Sequence, residues 1–274
     1  MNVLTSLLSS DSPIIMGILN TTPDSFSDGG KFNSVESALI RALAMCEQGA
    51  HIIDVGGEST RPGAQAVSVE DEIKRVVPVI ESIRQHSDVC ISIDTSKPAV
   101  MQLAVEAGAN LINDVNGLQA EGALSVCARL NVPVCVMHMQ GEPRTMQAKP
   151  VYNNVVDDIK AFFEQRIQAC IDAGIERHNI ILDPGFGFGK SLQHNLVLLK
   201  KFKAFQMFGL PLLAGLSRKS MLGEIINDSS PENRLYASVA AAVLARNNGA
   251  KIIRVHDVKP TSDGLKVCDA MNAV

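Results

Sequence analysis

The sequence predicts an α/β protein, a (β/α)8 TIM barrel, and three observations predict it. Eight short apolar runs rich in β-branched residues recur along the 274 residues, without the polar alternation of half-solvated strands. Runs of this kind suit strands covered on both faces, as in a parallel sheet. Each run ends abruptly in polar or charged residues. Helical patterns separate the runs, and several stop at a glycine placed to cap them: Gly49, Gly108, Gly174 and Gly249. Barrels of this class run to about 250 residues. We therefore expect one domain over 1–274, with its core at about 14–268 and long loops over the C-terminal mouth.

Each element has its own signal. The first run, Ile14–Leu19, ends at Asn20 and opens a long polar loop to Phe32. Val35, Ala38, Leu39 and Ala42 then share one helical face. The second run, His51–Val55, ends at Gly56-Gly57-Glu58 and opens another long loop to Val67, before a helix marked by Ile73, Val76, Val77 and Ile80. Val89–Ile93 ends at Asp94 and precedes the helical set Val100, Leu103, Ala104, Ala107. Leu111-Ile112 ends at Asn113-Asp114. Val132–Met137 ends at His138, followed by an insertion, Met139–Tyr152, and a helix through Val155, Ile159, Phe162, Phe163 and Ile167. Ile180–Leu182 ends at Asp183, Leu210–Leu216 at Ser217-Arg218-Lys219, and Lys251–Val255 at His256-Asp257. Strands must turn polar somewhere as they leave a core. That does not explain why His, Lys, Arg and Asp gather at the C-terminal ends while the N-terminal ends carry mostly Pro, Ala and Val. Barrel active sites are built at the C-terminal ends.

The bulk properties exclude other classes. A net charge of -4 and a pI near 5.9 give no electrostatic case for nucleic acid or an anionic membrane surface. No apolar stretch approaches the roughly 20 residues of a membrane span. Met1 to Ser12 lacks the basic region and apolar length of a signal peptide. Six cysteines, with no Cys-x-x-Cys pair and mostly in apolar patterns, read as buried free thiols of a reduced, cytoplasmic compartment.

Several clusters carry chemistry. Asp183-Pro-Gly-Phe-Gly-Phe-Gly-Lys190-Ser191 resembles a phosphate loop, but the first glycine of that motif would fall on Pro184, and the dinucleotide fingerprint fails at Lys190. Its glycines suit close approach of the backbone to a flat ligand. Ser217-Arg218-Lys219-Ser220 opens a helix after the seventh run, joining two cations to free N–H groups as an anion site; a solvated basic turn is the plainer alternative. A Schiff-base role for Lys219 lacks any sign of the apolar pocket it would need. Arg254 and His256, two apart, point to one face, and an arginine inside an apolar strand is costly unless paired. Asp94, Asn113 and Asp183 end three runs around one axis, where they suit an N–H-rich heterocycle with a guanidine-like edge. Metal ligation by protein alone is disfavoured, because His138 and His256 stand isolated.

Five motifs together resemble the bacterial dihydropteroate synthases, pterin-binding α/β barrels. They are Asn20-Thr-Thr-Pro-Asp-Ser-Phe26-Ser-Asp28-Gly-Gly30, Gly56-Gly-Glu-Ser-Thr60-Arg61-Pro62-Gly63, Asp183-Pro-Gly-Phe-Gly-Phe-Gly-Lys190, Ser217-Arg218-Lys219-Ser220 and Ile253-Arg254-Val255-His256-Asp257-Val258. The resemblance spans about residues 14 to 268; its visible departure is Thr21, where valine is expected.

The resemblance implies condensation of (7,8-dihydropterin-6-yl)methyl diphosphate with 4-aminobenzoate, yielding dihydropteroate and diphosphate in folate biosynthesis. It implies that Asp94, Asn113, Asp183 and Lys219 hydrogen-bond the pterin, that Arg254 stacks on it, and that Met137, Phe188 and Gly215 line its pocket. Asn20, Arg61, Arg254 and His256 would hold the diphosphate, with Mg²⁺ bridging it to Asn20. Phe26, Thr60, Pro62, Arg218, Lys219 and Ser220 would surround the aminobenzoate. Asp28, Lys219, Arg254 and His256 become the catalytic set, with Asp28 stabilising a developing cation. The family also implies a homodimer through helices near the last two strands. The nearest alternative is a pterin-binding methyltransferase domain serving a corrinoid protein; a non-catalytic pterin binder is the other.

Overall fold

Eight parallel strands close into a barrel in the computed structural model, which describes residues 3–21, 31–59, 65–141, 146 and 150–273. In chain order the principal elements are α1 (Val3–Ser9), β1 (Ile14–Asn20), α2 (Lys31–Glu47), β2 (Ile52–Gly56), α3 (Val69–His86) and β3 (Cys90–Asp94). They continue with α4 (Pro98–Glu106), β4 (Leu111–Asp114), α5 (Ala123–Leu130), β5 (Val134–Met137), α6 (Val155–Asp172) and β6 (Ile180–Asp183). The last are α7 (Leu192–Lys200), β7 (Leu213–Ala214), α8 (Ser220–Ile226), α9 (Leu235–Asn247), β8 (Ile252–Val255) and α10 (Val258–Asn272).

The ladder order is β6-β5-β4-β3-β2-β1-β8-β7. The Leu182 N–H donates to Pro211 O at 3.0 Å, and a parallel bridge joins Leu182 to Leu212, closing β6 onto β7. The expected strands lie where the apolar runs predict, and β7 is the shortest of them. Proline has no N–H for a ladder, and Leu212 O accepts from both Lys251 and Ile252. The seventh run therefore joins the sheet for only two residues.

Strand period assigns the residues to two cores. Outward-facing Ile53, Ile91, Ile112, Val134, Ile180, Ala214 and Ile253 pack with the helices. Inward-facing Ile14, Met16, Ile52, Cys90, Leu111, Cys135, Ile181, Leu213 and Ile252 fill the barrel, closed at its base by the fully buried Leu4 of α1. Burying one leucine stabilises by roughly 1.5–3 kcal/mol. Past α1 the chain is pinned: Lys251 donates to the carbonyls of Ser10 and Ser12, and Arg246 to that of Asp11.

One step up each strand, the interior turns polar. Glu58, after β2, accepts the Val67 N–H at 3.0 Å, while Lys97 bridges Glu58, at 2.5 Å, and Glu72. The described ends of the second long loop are thereby tied together. Among the described residues no helix is long and apolar enough to cross a membrane, and all six cysteines are free.

Candidate active site

The upper interior of the barrel is organised around Arg254. From β8 its Nε donates to Asp54 Oδ2 at 2.6 Å and its second terminal nitrogen to Asp94 Oδ2 at 2.6 Å. Asn113 Nδ2 donates to the same Asp54 oxygen at 3.2 Å. The neighbours Asp94 on β3 and Asn113 on β4 are in register. Asp54 is fully buried, and its Oδ1 has no hydrogen-bond partner. Sequence reasoning missed Asp54. Its signal was available, because an aspartate inside Ile-Ile-Asp-Val begs the same question as the arginine inside Ile-Ile-Arg-Val.

The charges are strongly perturbed. Burial pushes the Asp94 carboxyl up, and Arg254 only partly offsets this. Burial also raises Asp183, against the Gly185 N–H that donates to its Oδ1 at 2.8 Å and the nearby Lys219, Lys190 and Arg254. Burial, with Arg254 close by, brings Lys219 down to about 8. Burial opposes the charge of Arg254 too, yet Asp54 and Asp94 outweigh it and keep the guanidinium charged. A low-dielectric cavity holding such groups marks a functional site.

Lys219 and Asp183 belong to this charged layer, and Lys219 Nζ also lies 4.1 Å from the centre of the Phe188 ring. Met137 and Phe188 form a small apolar cluster with Met146, beside Val115 and Met139. Gly215 follows β7 directly across from Arg254; a Cβ there would lie 3.9 Å from that of Arg254. The structure thus brings Asp94, Asn113, Met137, Asp183, Phe188, Gly215, Lys219 and Arg254 together at the mouth end of the barrel, an apolar cluster beside a charged layer.

The glycines after Asp183 meet needs of the fold itself. At Gly185, φ is +71°, and an added Cβ would strike the His138 carbonyl; at Gly189, φ is +63°, and it would strike that of Gln140. His138 faces a cation and no metal ligand: Lys190 Nζ sits 3.0 Å from its Nδ1. Arg218 is not a free cation: its guanidinium grips Asp257 through two bonds of 2.9 and 2.7 Å. A carboxylate in that position neutralises much of the anion site expected at α8, while Ser220 remains exposed on the first turn. Arg218 also holds φ at +58°, costly for a side chain with a Cβ, with its N–H on Ser238 Oγ and its carbonyl on Arg234.

His256 lies one residue beyond β8, where its N–H donates to Ser217 Oγ and its Nδ1 lies 3.1 Å from the same oxygen. Burial, then Arg254, brings its pKa down to about 3, so the imidazole is neutral. Asn20 is exposed at the end of β1. It flanks Gly56, where an added Cβ would lie 3.6 Å from Asp94 Cβ and 3.9 Å from Asn20 Oδ1. Phe26, Asp28, Thr60, Arg61 and Pro62 lie outside the described residues. Among the described residues no group of three or more His, Cys, Asp or Glu could hold a metal.

Residues 16–256 of this barrel match the pterin binding enzyme family. The dihydropteroate synthase of Haemophilus influenzae is 54% identical over 258 residues, covering 94% of this chain and 94% of that protein. That of Escherichia coli K12 is 53% identical over 258 residues, covering 94% of this chain and 91% of its own length. The crystal structure of Yersinia pestis dihydropteroate synthase with a sulfonamide drug complex is similar with a TM-score of 0.92 and 51% identity, covering 97% of this chain and 96% of that one. The Xanthomonas albilineans enzyme with 4-aminobenzoic acid gives a TM-score of 0.91 and 49% identity, covering 96% and 94%. The chain belongs to the dihydropteroate synthase family. The corrinoid-linked alternative is set aside.

Proposed function

We infer that this chain condenses (7,8-dihydropterin-6-yl)methyl diphosphate with 4-aminobenzoate, giving 7,8-dihydropteroate and diphosphate. The observation that carries the reading is the polar layer around Arg254 above an apolar barrel floor. A pterin offers donors along its aminopyrimidine edge and an acceptor at its carbonyl. Asp94, Asn113 and Asp183 meet the donor edge, Lys219 the carbonyl side, and Arg254 covers one face. Arg254 is already fixed by Asp54 and Asp94, so its orientation costs little on binding. Met137, Phe188 and Gly215 form the apolar and flat surfaces.

The C–O bond of the methylene carbon breaks to release diphosphate, leaving a cation delocalised over the pterin nitrogens; the aminobenzoate amine then forms the C–N bond and gives up a proton. Diphosphate is a good leaving group, so the protein needs a preorganised charge clamp and exclusion of water more than a strong base. Arg254 supplies fixed positive charge, and neutral His256 a hydrogen-bonding group; Arg61 would complete the clamp and Asp28 would steady the cationic carbon. Lys219, beside Asp183 and at the start of α8, serves both substrates. Phe26, Thr60, Pro62, Arg218 and Ser220 are proposed around the aminobenzoate, with Arg218 exchanging part of its grip on Asp257 for the carboxylate.

Mg²⁺ fits the donor set in one way. Magnesium is commonly held by one or two protein oxygens, substrate phosphates and water, and Asn20 Oδ1 supplies one such oxygen. Bound there it would neutralise charge on the departing diphosphate.

A homodimer is proposed through α8, α9 and α10. Tyr236 and Leu244 on α9, Val267 and Met271 on α10, and Ile225 and Ile226 on α8 are all exposed. Sedimentation of wild type against Leu244→Arg tests it. Formation of dihydropteroate from the two substrates tests the reaction itself; tight pterin binding without product would leave only a binding protein.

A further inference from the structure

Lys190 is 2% exposed, and the chemistry above gives it no task. Its ammonium faces four acceptors, none of them charged: Gly185 O at 2.8 Å, Phe188 O at 3.0 Å, His138 O at 3.3 Å and His138 Nδ1 at 3.0 Å. Burying a cation against neutral partners is expensive, so the arrangement asks for a reason. The acceptors supply one. Gly185 is the residue whose N–H fixes the Asp183 carboxylate, and Phe188 carries the ring beneath Lys219. His138 is where β5 leaves the barrel next to Met137. One ammonium therefore joins the turn after β6 to the exit of β5.

Further bonds lock the same turn. Asn195 accepts the Gly187 N–H at 2.9 Å and donates to Lys190 O and Ser191 O. The Tyr152 hydroxyl donates to Gly189 O at 2.9 Å, and its ring packs against His194. His138 packs edge-on to Phe162. While Lys190 is charged, Nδ1 of His138 accepts from it and the ring proton sits on Nε2; burial brings the Lys190 pKa down to about 7.

We propose that Lys190 is a positioning residue for the pterin subsite, holding Asp183 and Phe188 in place through the carbonyls of the glycine turn and fixing the His138 tautomer. The proposal rests on the pterin reading above. Its natural failures are distinct: wild type that does not bind pterin sinks that reading, whereas the variants below address Lys190.

Nitrogen-15 NMR of wild type, with Lys190 charged, should show His138 neutral, protonated at Nε2, with Nδ1 bare; a proton on Nδ1 would overturn the geometry. Calorimetry with pterin itself should show at least a tenfold weaker Kd in Lys190→Met, while the KM for 4-aminobenzoate shifts less than threefold. A lowered melting temperature with pterin affinity within threefold of wild type would reduce Lys190 to a stabilising residue and overturn the proposal. If Lys190→Met does not fold, Tyr152→Phe, which removes only the bond to Gly189 O, decides. Pterin Kd should then weaken two- to fivefold with 4-aminobenzoate unaffected, and an unchanged pterin Kd would overturn it.

Discussion

The barrel interior has two storeys built from the same strands. The lower holds Ile52, Cys90, Leu111, Cys135, Ile181 and Ile252, and Leu4 seals it. Two residues further along, those strands present Asp54, Ser92, Asn113, Met137, Asp183 and Arg254. The lower storey gains from every methylene removed from water. The upper one carries costs that the lower one must offset: two carboxylates on one guanidinium, a lysine held down to about 8, and an Asp54 oxygen with no partner. Stability and function are thus separated by two steps of a strand, about 7 Å. A ligand entering the mouth meets the storey that was left unsatisfied.

The contrast can be broken most sharply at Arg254. Arg254→Met leaves Asp54 and Asp94 buried without their cation, a loss of about 3–5 kcal/mol in stability. Pterin binding and turnover should also collapse, by roughly a thousandfold or more in kcat/KM if more than about 4 kcal/mol of transition-state stabilisation goes with it. Denaturant unfolding and steady-state kinetics should both register it. A variant that loses activity yet keeps full stability would mean that the ion triad is not strained in the way described.

In the storey below, the effects should dissociate. Leu111→Ala or Ile181→Ala is expected to cost about 2–5 kcal/mol of stability, with the pterin Kd of the folded protein within twofold of wild type. Calorimetry on the folded fraction checks this, and a tenfold loss of pterin affinity would show that the floor shapes the site directly.

Asp183→Ala should do the reverse. It leaves pterin donors unpaired in a dry pocket, at about 1–3 kcal/mol, so pterin affinity falls at least tenfold while the melting temperature barely moves. Unaltered pterin binding would refute the assignment of Asp183.

A smaller effect follows from Lys219. Its folded pKa, about 8, lies below that of free lysine because burial disfavours the charge. The cation is therefore present below pH 8 and lost as pH rises through it, so kcat/KM should decline on the alkaline side with a midpoint near 8. Lys219→Arg, which stays charged, should turn over far more slowly and lack that limb. A limb that persists in the arginine variant must come from another group.

Much of this was legible beforehand. The eight runs, the polar exits and the glycine caps reflect local requirements, since a strand buried on both faces must be apolar and a helix must stop. Asp94, Asn113, Asp183 and Lys219 stood at run ends and Arg254 interrupted an apolar run, where period and position place them in the mouth. Asp54 was hidden within its run, and the role of α1 left no trace, because one buried leucine has no periodicity. Phe26, Asp28, Thr60, Arg61 and Pro62 rest on resemblance alone.

What the sequence determined by itself was the alternation of elements and which side chains face one mouth, because strand and helix periods are properties of the local chain. Only the closed barrel decided the partners. Arg254 meets Asp54, 200 residues away, Arg218 is taken up by Asp257, and Lys190 is surrounded by carbonyls. Hydrogen bonds and charge interactions depend on ångström-scale distances between segments remote in sequence, and those distances exist only once the eighth strand has closed the ring.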